Sequence, residues 1–375
     1  MVKAMKSGVP FFDYKATFSR YESLGDELLR VFQSGQYILG PDLAVFEKAV
    51  LDKLGYKNFL GVADGTNAIQ LGLNCMGVGH GDKVFVSSHT YVATASALVA
   101  VGAEPVLVDV DLTDGSICSS SIMERYDGTQ TGVIITQLNG RCCDMNKLIA
   151  VCDQLGLRLF EDSAQAFGAK YGGKLAGTFG EFGTFSFYPA KTLGCFGDGG
   201  GIVLRDDANY DLVRATRDHG RDGNGDVRYW GFNSRLDNVQ AALLTLKLKY
   251  YIEDLERRRA IAKRYVNSFQ GLEGIVCPPF DGDGRYDIFQ NFELRAKNRD
   301  QLLAHLSNNN IGARIQWGGT PLHEMKELGL SESRELFPNC TTYFNECLML
   351  PLYPALSDAQ IESVIYNVRH FYGAL

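Results

Sequence analysis

Apolar residues recur at helical spacing near the start of the chain. Leu24, Leu28, Leu29 and Phe32 share one stripe within residues 22–32, and Gly35 follows as a stop. Pro41 opens a second helix whose face carries Leu43, Phe46, Val50 and Leu54. The residues ahead of both read as an arm. From Thr66 the period begins to alternate. Residues 66–76 predict a helix, Gly77 to Asp82 a turn, and β-rich runs follow at 84–86, 105–110, 133–136 and 157–160. Helical patterns at 91–101 and 145–155 separate several of them, and strand-like 183–187 and 201–204 flank a glycine-rich bend. Strands alternating with helices at this interval predict an α/β chain with a mostly parallel central sheet covered by helices.

Beyond residue 235 the pattern shifts. A long helical stretch, 236–269, carries Glu256-Arg257-Arg258-Arg259, whose run of charge reads as a solvated face. After Pro278-Pro279, strand-like 289–294, a helix from Arg299 and a last helix at 358–372 predict a smaller α+β domain. The expected division is residues 1–235 for the large domain with its N-terminal helices, and 236–375 for the smaller one.

Composition narrows the function. At 375 residues, 45% hydrophobic and 22% charged, the chain is long enough for two substantial cores. A formal net charge of -7 argues against broad capture of nucleic acid or an anionic membrane. None of the nine cysteines forms a CxxC pair, which disfavours a zinc knuckle or other metal site. Reduced thiols, a start (MVKAMKSGVPFFDYK) without a signal-peptide core, and no apolar run long enough for a bilayer give a cytoplasmic expectation.

Three segments carry candidate chemistry. Ala63-Asp64-Gly65-Thr66-Asn67 stands directly before a helix, where unpaired N–H groups and a hydroxyl suit a phosphate. Leu159 to Gln165 places Asp162 at the carboxyl end of a strand, where open α/β sheets hold ligands and a carboxylate can pair with a protonated ring nitrogen. In the third, Lys191 follows a strand, lies among apolar residues without an acid beside it in sequence, and precedes Gly194 to Gly201. A desolvated lysine is a nucleophilic amine suited to Schiff-base chemistry. The glycines match neither a P-loop nor a dinucleotide fingerprint. Taken together, an anion cap, an acid and a lysine are the parts that pyridoxal phosphate requires.

With these segments the sequence resembles the DegT/DnrJ/EryC1/StrS family of nucleotide-sugar aminotransferases, which has the type I aspartate-aminotransferase fold. The likeness runs from Gly40-Pro41 to Leu350-Pro351, and is most specific at the Gly-Thr cap, Glu-Asp-x-Ala-Gln, Phe-Ser-Phe-x-x-x-Lys and Asn233-x-Arg235. The resemblance implies a Schiff base at Lys191, Asp162 on the ring nitrogen and Gln165 at the ring hydroxyl. It implies a phosphate site of Gly65, Thr66 and Ser186, with Tyr91 stacked on the ring. Asn233 would reach the cofactor of a neighbouring subunit, giving a homodimer with shared sites, and Arg235 and Trp317 would lie near the substrate. An amino donor such as glutamate, a 3- or 4-keto nucleotide sugar and a pyridoxamine-phosphate intermediate follow from the same resemblance. The other reading is a cofactor-binding sensor or regulator that kept the fold. Taken alone, Tyr91 reads as a core aromatic, Arg235 as a surface residue or structural ion pair, Cys195 as packing, and His89 and His219 as ordinary histidines. Two stretches depart from the family pattern, Asn139-Gly140-Arg141-Cys142-Cys143 and Gln316-Trp317-Gly318-Gly319.

Overall fold

The computed structural model describes residues 8–374; Met1 to Ser7 and Leu375 lie outside the described residues. Helices α1 (Tyr14–Ser19), α2 (Leu24–Ser34) and α3 (Pro41–Leu54) lead into β1 (Phe59–Val62). Then come α4 (Gly65–Cys75), β2 (Lys83–Ser87), α5 (Val92–Ala100), β3 (Glu104–Val108), α6 (Ser119–Arg125), β4 (Gln130–Thr136), α7 (Met145–Leu155) and β5 (Arg158–Asp162). A small sheet of β6 (Lys170–Tyr171), β7 (Lys174–Leu175) and the later β11 (Arg285–Tyr286) stands beside it. The chain returns through β8 (Phe182–Ser186), β9 (Gly200–Leu204), α8 (Asp207–Thr216), α9 (Asn238–Leu248) and α10 (Tyr251–Phe269). The rest is β10 (Ile275–Val276), β12 (Phe292–Ala296), α11 (Arg299–Asn308), α12 (Pro338–Glu346), β13 (Cys347–Leu350) and α13 (Asp358–Phe371).

The central sheet has seven strands in the order β1-β9-β8-β5-β4-β2-β3. Only β9 runs against its neighbours, β1 and β8, so the sheet is mixed with a parallel majority. Side chains alternate across it. Leu159, Phe185 and Val203 join the core on one face, under α3, α7 and α9, while Phe160, Phe182 and Ile202 join that on the other, under α4, α5 and α8. A third core gathers β12, β13, α11, α13 and the C-terminal half of α10. Among the described residues no helix is long and apolar enough to cross a membrane.

Two expectations change. The stretch 236–269 is two helices, broken at Lys249-Tyr250 without glycine or proline. The break follows packing: α9 buries nearly its whole circumference beside α3 and the central sheet, whereas α10 passes from that core into the third. Residues Leu236 to Leu255 thus contribute to the larger core. The second correction concerns Arg258, which is 2% exposed and no part of a solvated face. Four consecutive helical residues span more than a full turn, so one of them must face inward. Arg258 donates to the carbonyls of Phe289, Gln290 and Leu352, and burial lowers its pKa to about 10. Its neighbour Arg259 pairs with Asp281.

Candidate active site

Between β8 and β9 the chain makes a tight turn that carries Lys191. Phe187 N–H donates to the Gly199 carbonyl at 2.7 Å, and Lys191 N–H to that of Tyr188 at 2.8 Å. Glycine is demanded here by close approach. A Cβ on Gly194 would lie 2.5 Å from the Pro189 oxygen, and one on Gly200 would lie 2.3 Å from the Asp64 carbonyl carbon. Gly200 therefore lets β9 run against the start of α4. Lys191 is half-buried, and desolvation lowers its pKa to about 8, with the Asp162 charge pulling the other way.

Asp162 ends β5 on the face covered by α4 and α5. Thr94 Oγ1 donates to its Oδ2 at 2.6 Å, and Ala164 N–H to its Oδ1 at 3.1 Å. Thr94 in turn meets Thr90 at 2.9 Å, and Thr90 meets Thr136 at 2.7 Å. Burial raises the Asp162 pKa, while Thr94, Ala164 and Lys191 pull it down. A carboxylate held this way has lost most of its water and accepts a cationic N–H strongly.

The phosphate-type cap assembles from two elements. Asp64 caps α4, accepting from Asn67 N–H at 2.8 Å, which leaves the first two helical N–H groups, of Gly65 and Thr66, pointing outward. A Cβ on Gly65 would lie only 3.0 Å from Ser186 Cβ, so the helix start and the end of β8 are in contact. Gln165 accepts from Asn139 N–H at 2.7 Å. Because that donor fixes the side-chain oxygen, the NH2 of Gln165 is the group left for a ligand.

Tyr91, at the N-cap of α5, is 55% exposed and so is no core aromatic. Its ring lies 6.2 Å from that of Trp317. Trp317 (φ 46), Gly318 (φ 73) and Gly319 (φ 84) form a run of left-handed residues, and that turn presses the indole against His89, 5.2 Å away. His89 is buried, meets the Gly115 carbonyl through Nδ1 at 2.8 Å, and burial lowers its pKa to about 4, leaving it neutral. Arg235 pairs with Asp218 at 2.5 Å, as the ion-pair reading anticipates, whereas Asn233 is exposed. Cys195 is buried packing.

The structure thus brings the α4 start at Gly65 against Ser186, and puts Lys191 within reach of the Asp162 charge. Tyr91 joins Trp317, and Arg235 stays in its own ion pair. Sequence reasoning missed Thr94 and Gln290. Thr94 stands four residues after Thr90, a spacing that acquires meaning only once Asp162 is known to face α5. Gln290, buried, donates through its NH2 to the Ala190 carbonyl at 2.9 Å and accepts from Thr192 N–H at 2.8 Å.

The model of the DegT/DnrJ/EryC1/StrS aminotransferase family matches residues 21–369. A "Pleiotropic regulatory protein" of Geobacillus stearothermophilus is 34% identical, over 97% of this chain and 98% of its own. A "dTDP-3-amino-3,4,6-trideoxy-alpha-D-glucose transaminase" of Streptomyces venezuelae is 35% identical, over 97% and 96%. Among solved structures, S. venezuelae DesV in complex with a ketimine intermediate superposes with a TM-score of 0.93 at 33% identity, covering 98% of this chain and 99% of that one.

Proposed function

Because the chain belongs to the DegT/DnrJ/EryC1/StrS aminotransferase family, we propose that it moves an amino group from L-glutamate to a 3- or 4-keto nucleotide sugar. The family's cofactor is pyridoxal phosphate, and the residues present fit it. A buried carboxylate faces a site with a helix start in contact with Ser186 at one end and a desolvated lysine near the other. When bound, the cofactor supplies an electron sink that allows the C–H bond beside the amino nitrogen to break.

The side chains divide the work. Asp162, oriented by Thr94, would hold the ring N–H by a charge-assisted bond. The NH2 of Gln165 would meet the ring hydroxyl, the N–H groups of Gly65 and Thr66 with the Ser186 hydroxyl would take the phosphate, and Tyr91 would lie against the ring. Lys191 is the catalytic residue. Its Nζ would hold the cofactor and, as a free amine, would accept and return the proton that the chemistry moves. A pKa of about 8 leaves an appreciable fraction of neutral amine near pH 7.5, which the usual lysine value would deny. Trp317, 6.2 Å from the Tyr91 ring, and Arg235 are assigned to the sugar substrate.

Asn233 is assigned to the phosphate of the partner subunit's cofactor, in a homodimer. Its own exposure and that of its neighbours Tyr229 and Trp230, the latter 99% exposed, support this. The nine free cysteines are in keeping with the reducing cytoplasm, the proposed compartment.

The single observation that carries the reading is a desolvated Lys191 that feels the charge of buried Asp162, on the face where the Gly65 helix start meets Ser186. The test is an absorption spectrum with added pyridoxal phosphate, then with glutamate, then with a panel of keto-sugar nucleotides. A band near ~410–430 nm that glutamate moves toward ~330 nm is expected, with regeneration by one sugar class. Lys191→Ala loses turnover entirely. A band indifferent to every amino donor would instead indicate a sensor or regulator.

A further inference from the structure

The turn bearing Lys191 is gripped from the smaller sheet's side by one residue, and the grip has a specific form. Gln290 donates to the carbonyl of residue 190 and accepts from the N–H of residue 192. These two groups are the ones a residue on a neighbouring parallel strand engages when it stands opposite residue 191. The side-chain amide therefore imitates a strand partner for Lys191, at a place where none of the described residues forms a strand. Both peptides flanking the lysine are fixed, and with them the direction of its Cα–Cβ bond.

Gln290 is itself held. Phe289 before it has φ 50, a left-handed corner that turns the chain toward the lysine. Buried Arg258 donates to the carbonyls of both Phe289 and Gln290 at 3.3 Å. Gly140 (φ 88) packs so tightly below that a Cβ there would lie 2.5 Å from Gln290 N. The next residue, Asn291, donates to the Asn139 side-chain oxygen at 2.8 Å, and Asn139 N–H holds Gln165. One corner of the chain thus steadies two members of the site.

We propose that Gln290 is a positioning residue for Lys191, aiming its amine at the cofactor carbon through the peptides on either side. The inference rests on the reading of Lys191 as the cofactor-binding lysine. It predicts that loss of the grip leaves cofactor pocket and fold intact but slows covalent attachment. Nothing about it requires Gln290 to touch the cofactor.

The experiment uses the full-length protein freed of cofactor, in wild-type, Gln290→Ala and Gln290→Met forms. Gln290→Met keeps the side chain's length but offers neither a donor to the Ala190 carbonyl nor an oxygen to Thr192 N–H, and so serves where the alanine variant folds poorly. Pyridoxamine phosphate, which cannot bond to the lysine, measures pocket integrity; its affinity is expected to stay within about threefold of wild type, since a truncation outside the phosphate and ring contacts leaves uniform binding in place. Attachment of pyridoxal phosphate is followed by absorbance and by borohydride reduction with peptide mass analysis at Lys191. A slowing of roughly 10- to 100-fold is expected in both variants, the scale that a small misplacement of a reacting group produces. The pH midpoint of the attached cofactor's absorbance is expected to move as well. Wild-type rates and midpoint in both folded variants would overturn the proposal while leaving Lys191's role in place. A wild-type protein that attaches no cofactor would overturn both.

Discussion

Glu161 and Asp162 are adjacent buried acids, and their alternation on β5 sends them to opposite faces of the sheet with opposite consequences. Glu161 accepts four hydrogen bonds, from Phe179 N–H at 2.6 Å, Gly180 N–H at 2.9 Å, Gly177 N–H at 2.8 Å and the Gln137 amide at 2.8 Å. Gln137 cannot turn to offer an acceptor, because its own oxygen is held by Cys143 N–H at 2.7 Å. Every group facing Glu161 is therefore a donor. Burial pushes its pKa up against them, but only the ionised form satisfies all four. Glu161→Gln sets an NH2 against two of these donors. Each buried group left unpaired costs about 1–3 kcal/mol, and relief from burying a charge offsets part of the sum, so a loss of about 2–5 kcal/mol is expected. Asp162→Asn behaves differently. The Thr94 hydroxyl can rotate to accept from the new amide, so stability falls by about 1 kcal/mol or less, whereas turnover collapses. The assay is thermal melting of cofactor-free protein for both variants, alongside glutamate half-reaction spectra. A Glu161→Gln protein melting with wild type, or an Asp162→Asn protein less stable than the Glu161→Gln one, refutes the assignment of one acid to structure and the other to chemistry.

Burial raises the Glu293 carboxyl to about 7, against hydrogen bonds from Asn139 and Tyr343, and its second oxygen is buried without a partner among the described residues. The folded state thus holds a proton that the unfolded state releases near 4.5, so this contribution to stability is complete below that value and lost as pH rises through 7. Glu293→Gln, whose NH2 occupies the unpartnered position, should melt above wild type at pH 8 by up to roughly 3 kcal/mol and match it near pH 4, at about 1.4 kcal/mol per pKa unit. Melting curves from pH 4 to 8.5 check this, and a difference independent of pH contradicts it. Arg258→Met should cost about 2–5 kcal/mol, by leaving three carbonyls without their donor, while Arg257→Met costs under about 1 kcal/mol because that side chain is partly exposed. Equal effects in parallel melts would mean that the helix surface was read wrongly.

The large sheet was legible because each strand and covering helix states its own period locally. Pro41 at the start of α3 and Gly35 after α2 stand where the pattern sets them. Lys191, Asp162 and the Gly65 cap were legible for the same reason: each sits at a strand or helix end, with its chemistry inside a few residues. What stayed hidden depends on partners distant in sequence. β1 is four residues with a glycine inside, and becomes a strand because β9 pairs with it. Arg258 faces inward because carbonyls at Phe289 and Leu352 await it. The departure at Asn139-Gly140-Arg141 acquires a reason only when the smaller sheet is in place: Asn139 meets Glu293 and Asn291, Gly140 clears Gln290, and Arg141 pairs with Asp287 at 2.5 Å.

The ladder between β5 and β8 does the rest of the positioning. Asp162 stands opposite Thr184, and Ser186 lies two residues further along on the same face. One strand spacing of about 4.8 Å across and two rises of about 3.3 Å along separate their backbones by roughly 8 Å. That spacing suits a flat ligand with a cationic nitrogen at one end and a phosphate at the other, the kind proposed for this site, and it is held by the backbone ladder for as long as the register holds. Parity matters as much as distance. Slipping β8 by one residue would turn Ser186 and Thr184 to the Glu161 face, away from α4, and would separate the Ser186 hydroxyl from the Gly65 helix start. The phenylalanines fix that register. Phe182 stacks on Phe160 at 5.1 Å on the α4 side, while Phe185 meets Phe167 at 4.9 Å on the other, so a slip would exchange two cores of different shape. The hydrophobic pattern of β8 is thus what sets the chemistry at its end.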